Sequence, residues 1–228
     1  MSITLEGITF DERHTTVKDR YEELGGRQVR CVTVSGLIVG ASDVAAIEAA
    51  LDAILDAASV DDFSAALSVR AGRQLWVQRN AFTREIAAEK LVGSFELELD
   101  TRAPYEESIS GTTVVWNIAA SGDQIVIASG GNAPTDAVVT LTAVGDIINP
   151  TFSDGQRTIT YSGIVSDGQV LKFDGANRQV LLDNADVTPY TDGLFPQLIP
   201  EGSTLTYSDD ATSSHSANVT VAYNSRWW

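Results

Sequence analysis

The sequence has few of the residues on which disulfide, metal and acid–base chemistry depend. Its 228 residues include one cysteine, Cys31, and two histidines, His14 and His215. A single cysteine excludes an intramolecular disulfide and a zinc site built from thiolates. The sequence also lacks a Gly-x-Ser-x-Gly nucleophile motif, a phosphate loop and a dinucleotide-binding fingerprint. We therefore expect no cofactor, no metal and no catalytic site.

Basic residues are also scarce, since 15 lysines and arginines accompany 31 aspartates and glutamates, for a net charge of −16. Such a surface repels phosphate, which argues against a nucleic-acid-binding protein. No apolar run approaches the roughly 20 residues that a membrane span needs. Residues 1–10 lack the apolar segment of a signal peptide, so synthesis in the cytoplasm is expected.

The residues that most resemble catalytic groups have simpler interpretations. Cys31 lies among valines and is expected to be a small core residue. His215 lies in a polar loop, where we expect a solvated side chain with no group nearby to orient it. The adjacent pair Glu106-Glu107 is expected on the solvated surface, since neighbours on a strand point to opposite faces. An enzyme, for example a polysaccharide hydrolase, is therefore the least favoured of three interpretations of this sequence.

A change in composition near residues 103–107 divides the chain into two predicted domains, 1–104 and 105–228. Basic residues become rare after this point, while Gly, Ser, Thr, Asn and Asp become frequent. In the first domain, apolar residues at 44, 47, 51, 54 and 55 recur at helical spacing and predict a helix over about 43–58. Ser42 is the expected N-cap.

Strands surround this helix in the prediction. Residues 28–35 are rich in β-branched side chains and predict a strand covered on both faces, followed by a buried run at 36–40. Residues 66–70 and 74–78 predict a hairpin. Residues 95–100 alternate strictly, which predicts a strand with one apolar and one acidic face. The first domain is thus predicted to combine antiparallel strands with one α-helix.

The second domain reads as strands alone, so the fold class is mainly β. Short strands separated by glycine-rich turns are typical of a β-sandwich. The predicted strands are 114–119, 124–128, 137–143, 157–161, 170–174, 179–182, 203–208 and 217–223.

Several motifs, in order along the chain, resemble phage distal tail proteins. Residues 193–202 (GLFPQLIPEG) precede a strand, and a final strand at 218–223 is followed by Arg226-Trp227-Trp228, like the close of that family. Residues 145–152 (GDIINPTF) are similar to its internal Asn-Pro step. Near the start, residues 21–28 and 34–40 resemble the Gly-Gly-Arg segment and first strand of the family's ring domain. Glu201-Gly202-Ser203 departs from the usual Pro-Gly-x-Asn.

The resemblance implies a structural virion protein rather than an enzyme. It implies a homo-hexameric ring formed by the N-terminal domain at the tip of a non-contractile tail, followed by an outward galectin-like β-sandwich. The ring would join the tail tube protein to the tail-tip hub protein and surround the tape measure protein, with DNA passing through the bore without specific binding. A phage, a gene transfer agent or a tailocin-like particle would fit equally, and a carbohydrate-binding lectin or adhesin is the alternative.

Candidate interface residues follow from charge and aromaticity. The acidic strand face of Glu96, Glu98 and Asp100 is expected either to line the bore or to form ion pairs across the ring with a set of arginines. Those arginines are Arg70, Arg73, Arg79 and Arg84. Trp227 and Trp228 are expected either to contact a partner or to pack back on the sandwich.

Overall fold

The computed structural model describes residues 3–24, 27–58 and 62–228, which form a mainly β protein with one α-helix in the described ranges. This confirms the predicted fold class. The chain divides into two compact units, Met1–Ile109 together with Trp228, and Ser110–Trp227. The division into domains 1–104 and 105–228 stays a prediction.

In the first unit, antiparallel strands form one sheet with the helix on one of its faces. The sheet order is β2-β1-β5-β6-β7-β4-β3, and β8 pairs with the start of β6, so that β2 and β3 are its edge strands. The strands are β1 (Ile3–Leu5), β2 (Ile8–Phe10), β3 (Thr15–Leu24), β4 (Arg27–Ile38), β5 (Ala65–Arg70), β6 (Arg73–Ala87), β7 (Val92–Thr101) and β8 (Glu106–Ser108). The hairpin predicted around residues 71–73 is confirmed as β5–β6.

The helix α1 (Val44–Ala57) confirms the predicted helix and packs against β4, β6 and β7. Its buried side chains are Ile47, Leu51 and Ile54, which recur at helical spacing. The predicted N-cap was wrong by one residue. The Asp43 carboxylate accepts a hydrogen bond from the Ala46 backbone N–H at 2.8 Å, while the Ser42 hydroxyl donates to Asp43.

Strand alternation explains which face of the sheet meets the helix. On β4, Val32 and Val34 are fully buried, whereas Cys31 and Thr33 are half-buried on the opposite face. The expectation that this strand is covered on both faces, with Cys31 in the core, was therefore wrong, because only the face of Val32 and Val34 packs on α1. The segment predicted as a separate buried run continues β4 to Ile38 and leaves Leu37 exposed.

The second unit consists of two main sheets, two short ribbons and one further short strand, β24. The five-stranded sheet has the order β10-β22-β14-β15-β20, the six-stranded sheet β19-β18-β17-β12-β23-β9, and the ribbons are β11–β21 and β13–β16. The strands are β9 (Thr112–Ile118), β10 (Gln124–Ile127), β11 (Thr135–Asp136), β12 (Val138–Ala143), β13 (Ile147–Ile148), β14 (Thr151–Ser153), β15 (Thr158–Tyr161), β16 (Ile164–Val165), β17 (Val170–Asp174), β18 (Gln179–Leu182), β19 (Ala185–Asp186), β20 (Thr191–Gly193), β21 (Gln197–Leu198), β22 (Ser203–Ser208), β23 (Ala217–Tyr223) and β24 (Arg226–Trp227). All eight predicted strands are present.

One hydrophobic core lies between the two main sheets. Trp116 and Phe173 from the six-stranded sheet meet Phe152 and Tyr207 from the five-stranded sheet. The Phe152 ring contacts Phe173 edge-on, with centroids 5.4 Å apart, and Tyr207 at 5.6 Å. Side chains from two sheets that share one core define the predicted β-sandwich.

Candidate assembly surfaces

The acidic strand predicted at residues 95–100 is part of β7. Phe95, Leu97 and Leu99 are buried towards α1, while Glu96 is exposed and Glu98 half-buried on the other face. Asp100 lies on that same face opposite Cys31, and its Oδ1 is 3.4 Å from the Cys31 thiol. We call the side chains of Glu96, Glu98 and Asp100 the acidic face.

The acidic face affects the pKa of the Cys31 thiol beside it. Burial raises the pKa of Cys31, and the hydrogen bond to Asp100 and the charge of that carboxylate raise it further. The thiol form is therefore favoured, because a thiolate beside Asp100 would be repelled. Cys31 is thus a half-buried thiol of low reactivity rather than a nucleophile.

Two of the candidate arginines lie on the helix side of the sheet, away from the acidic face. Arg79 donates from Nη1 to the Leu55 carbonyl at 3.4 Å, near the C-terminal end of α1 where carbonyls lack helical partners. Arg84 forms an ion pair with Asp52 of the same helix. Within one chain, the side chains of both arginines therefore contact α1.

The other two candidate arginines converge on one buried carboxylate, Glu106. Its Oε1 lies 3.0 Å from Arg70 Nη1 and 3.2 Å from Arg30 Nη2, and its Oε2 lies 3.7 Å from Arg73 Nη1. Arg30 also donates twice to Asp19, at 3.1 and 3.0 Å. We call these five residues the Glu106 cluster.

The Glu106 cluster was not predicted from the sequence, and the expectation that Glu106 lies on the solvated surface was wrong. The side chains of Arg30 and Glu106 are each 1% exposed. They are separated by 76 residues, so no local pattern joins them. One feature of the sequence pointed to this cluster: Arg30 lies among the valines of a predicted strand. A buried arginine needs a carboxylate partner.

The two terminal tryptophans differ in exposure. Trp227 is half-buried, and Trp228 is 52% exposed with its ring edge-on to Tyr105 at a centroid distance of 6.0 Å. The preceding Arg226 is buried and donates from Nη1 to Asp136 Oδ2 at 2.8 Å. Whether either tryptophan contacts a partner stays a prediction.

His215 is held by a carboxylate, contrary to expectation. Its Nδ1 lies 2.7 Å from Oδ1 of Asp209, whose side chain is fully buried and whose Oδ2 accepts a hydrogen bond from the Tyr207 hydroxyl at 2.7 Å. Burial and this hydrogen bond raise the pKa of Tyr207. Asp209, a loop residue six positions away, thus orients His215. The polar composition of the loop did not predict this contact.

Neither a metal site nor a membrane helix is found in the described ranges. Residues 3–24, 27–58 and 62–228 contain no group of three or more histidine, cysteine, aspartate or glutamate side chains arranged to hold a metal ion. No helix of these ranges is long and apolar enough to cross a membrane.

Comparison with known proteins agrees with the motifs. Residues 130–227 match the family model described as siphovirus-type tail component, C-terminal domain. A comparison with curated proteins gave no match. Among solved structures, the chain resembles the Dit protein (gp 19.1) of phage SPP1, called a paradigm of the hub adsorption apparatus in phages infecting Gram-positive bacteria, with a TM-score of 0.68. The identity is 10%, over 100% of this chain and 99% of that chain.

The two comparisons cover different parts of the chain. The structural likeness extends over the whole chain and shows a shared fold. The sequence match is confined to the second unit, where the motifs at residues 145–152 and 193–202 lie. The predicted resemblance is confirmed: this chain has the fold of the phage SPP1 distal tail protein, and its residues 130–227 match the C-terminal domain of siphovirus-type tail components.

Proposed function

We propose that this protein is a non-catalytic ring component at the distal end of a phage tail. Six copies close a ring through the first unit and join the tail tube protein to the tail-tip hub protein around the tape measure protein. The second unit is a galectin-like sandwich that faces outwards. The protein is made in the host bacterial cytoplasm and resides in the virion tail tip, and the same role would serve a gene transfer agent or a tailocin-like particle.

The observation that carries the ring proposal is the pair of open edges in the sheet of the first unit. β3 is ten residues long and β4 is its only strand neighbour in the described sheet, while β2 lies at the opposite edge. Unpaired backbone groups on an edge strand are satisfied when another strand adds to them. Because the two edges differ, addition of β3 to the β2 of the next copy is a head-to-tail contact, which forms a ring when the rotation closes.

The acidic face supports a second part of the proposal, a bore that does not retain DNA. Glu96 and Glu98 form no ion pair with the described residues, and they are exposed and half-buried, respectively. Carboxylates that line a channel repel phosphate and prevent adhesion of the passing duplex. The four candidate arginines interact with Glu106, Leu55 and Asp52 of their own chain. This favours a bore-lining role for the acidic face over ion pairs across the ring.

Ring formation is tested by electron microscopy together with hydrogen exchange of the full chain. We expect particles with six-fold symmetry, and slower exchange of β3 amides in the assembled fraction than in the monomer. Amides of β7, a central strand paired on both sides, provide the internal control, since their exchange should be slow in both fractions. Assembled particles in which β3 exchanges as fast as in the monomer would refute pairing through this edge.

The orientation of the acidic face is tested with an exposed thiol, introduced by Glu96→Cys in a Cys31→Ser background, because Cys31 itself is half-buried and of low reactivity. A bulky polymer-linked maleimide should label this introduced thiol more slowly in the ring than in the monomer if this face lines a narrow bore. A small maleimide should label both at similar rates, because water still fills the channel. Equal labelling by the bulky reagent would place the acidic face on the outside of the ring.

A carbohydrate-binding function of the sandwich is the second candidate, favoured by one exposed aromatic side chain. Tyr190 is 64% exposed, and aromatic rings of this kind stack on sugars. Glycan-array binding by the full chain that is lost in Tyr190→Ala, but kept in the equally exposed Leu194→Ala, would support a lectin. Absence of binding by the unmodified chain would remove this candidate.

A further inference from the structure

The second unit has one edge strand that lacks the usual protection against pairing. β9 lies at the end of the six-stranded sheet, with β23 as its one strand neighbour. Its seven residues contain no charge and no proline, and Val115 at its centre is 68% exposed. The uncharged stretch extends from residue 108 to residue 122, although the chain carries a net charge of −16.

Two of the three other edges of the main sheets combine short length with an acidic side chain, which β9 lacks. β19 has two residues and includes Asp186, and β20 has three and includes Asp192. Short length and an acidic side chain are devices by which natural sheets prevent edge-to-edge contact. β10 is protected by its length alone, since it has only four residues, which are uncharged and include Val126, 71% exposed. A long, neutral and exposed strand in this setting indicates a surface that is used for pairing.

We propose that β9 pairs with β9 of a second copy of this chain, antiparallel about a two-fold axis near Val115. In this register Val115 faces Val115 and Thr113 faces Asn117 of the other copy, so that the contact is self-complementary. The two six-stranded sheets become one continuous sheet. This contact is independent of the ring, which uses edges of the first unit.

Charge selects a second copy as the occupant of this edge. Two chains with a net charge of −16 repel each other over most of their surfaces. An uncharged strand is where they can approach without placing like charges opposite one another, and like charges directly opposite on paired strands are destabilising. Each copy supplies the neutral strand that the other requires.

The proposal is tested by sedimentation velocity of the full chain from about 1 to about 100 µM. Val115→Lys places two lysines opposite each other and should weaken the association by about tenfold or more. Leu194→Lys is the matched control, since Leu194 is 63% exposed, and it should associate like the unmodified chain. Circular dichroism of both variants checks that the fold is unchanged. Equal association of the two variants would overturn the proposal.

Hydrogen exchange separates this contact from ring formation. In the unmodified chain, amides of β9 should become protected as concentration rises, and Val115→Lys should abolish this protection while leaving β3 unaffected. If β3 alone becomes protected, the ring stands and the β9 contact fails; if β9 alone becomes protected, the reverse holds. Rapid exchange of β9 at every concentration would exclude the second copy and leave this edge to another protein.

Discussion

Glu106 illustrates how one carboxylate can hold distant parts of a sheet together. Arg30 from β4, Arg70 from β5 and Arg73 from β6 all reach it. Arg30 Nη1 and Glu106 Oε2 have no hydrogen-bond partner in spite of their burial. A cluster with such atoms is costly to desolvate, so its partners depend on one another more than surface ion pairs do.

Replacement of Glu106 by glutamine should therefore destabilise the first unit strongly. The substitution leaves the buried Arg30 guanidinium facing only Asp19, and loss of one partner of a buried pair typically costs about 3–5 kcal/mol. Urea denaturation measures the change. Glu96→Gln, on the exposed part of the acidic face, is the control and should alter the free energy of unfolding by less than about 0.5 kcal/mol. Equal stabilities of the two variants would contradict a structural role for the Glu106 cluster.

The buried Tyr207 hydroxyl gives a pH dependence with a definite sign. Its pKa is raised in the folded protein by burial and by the hydrogen bond to Asp209. The neutral phenol is thus the form that folding favours, and an unfolded tyrosine ionises near pH 10. Its contribution to stability is complete below about pH 10 and is lost as the pH rises above that value.

Tyr207→Phe should accordingly flatten the alkaline decline in stability. We expect the variant to be less stable at neutral pH by about 1 kcal/mol, because the hydrogen bond to Asp209 is lost. Between about pH 9 and about pH 11 its free energy of unfolding should fall less steeply than that of the unmodified chain. Chemical denaturation at several pH values measures both effects. Parallel declines would show that Tyr207 does not titrate on unfolding.

At the scale of elements, two neighbouring side chains at the start of α1 have different roles. The Asp43 carboxylate accepts a hydrogen bond from the Ala46 backbone N–H. Among the described contacts, the Ser42 hydroxyl donates a hydrogen bond only to Asp43. Asp43→Ala should cost about 1 kcal/mol of stability, and Ser42→Ala should change stability by only a few tenths of a kcal/mol. Thermal denaturation of both variants distinguishes them. The reverse order would restore Ser42 as the N-cap.

Elements that are encoded locally were predictable from the sequence. Ile47, Leu51 and Ile54 follow the helical period, and Phe95, Leu97 and Leu99 follow the period of a strand, so α1 and β7 were both identified. Contacts between distant segments were not predictable in this way. The pairing of Arg30 with Glu106 depends on the order of strands in the sheet, and that order is set by the packing of the whole unit.

The candidate surfaces were predictable only in part, for a related reason. Alternation placed Glu96 and Glu98 on one face of their strand, but the faces on which Arg79 and Arg84 lie depend on a β-bulge after Arg79. A bulge shifts the alternation by one residue and moves every following side chain to the other face. This irregularity had no marker in the sequence, so the arginines and the acidic face were treated as possible partners.

At the scale of the whole molecule, the charge of −16 governs how copies associate. Raising the ionic strength from about 0.01 M to about 0.15 M shortens the Debye length from about 30 Å to about 8 Å and screens repulsion between copies. Assembly, measured by light scattering, should therefore strengthen several-fold with salt. Sucrose at matched osmolarity is the control and should not reproduce the change. Weakening by salt would instead indicate ion pairs between copies, such as arginines with the acidic face.

The pairing of β9 with β23 has a consequence for the integrity of the second unit. β9 is the first strand of the second unit, β23 is its last long strand, and Thr112 lies opposite Tyr223. The entrance and the exit of this unit are therefore side by side. Loss of β23 would therefore remove the one strand neighbour of β9 in its sheet, so the first strand of the unit depends on its last long strand.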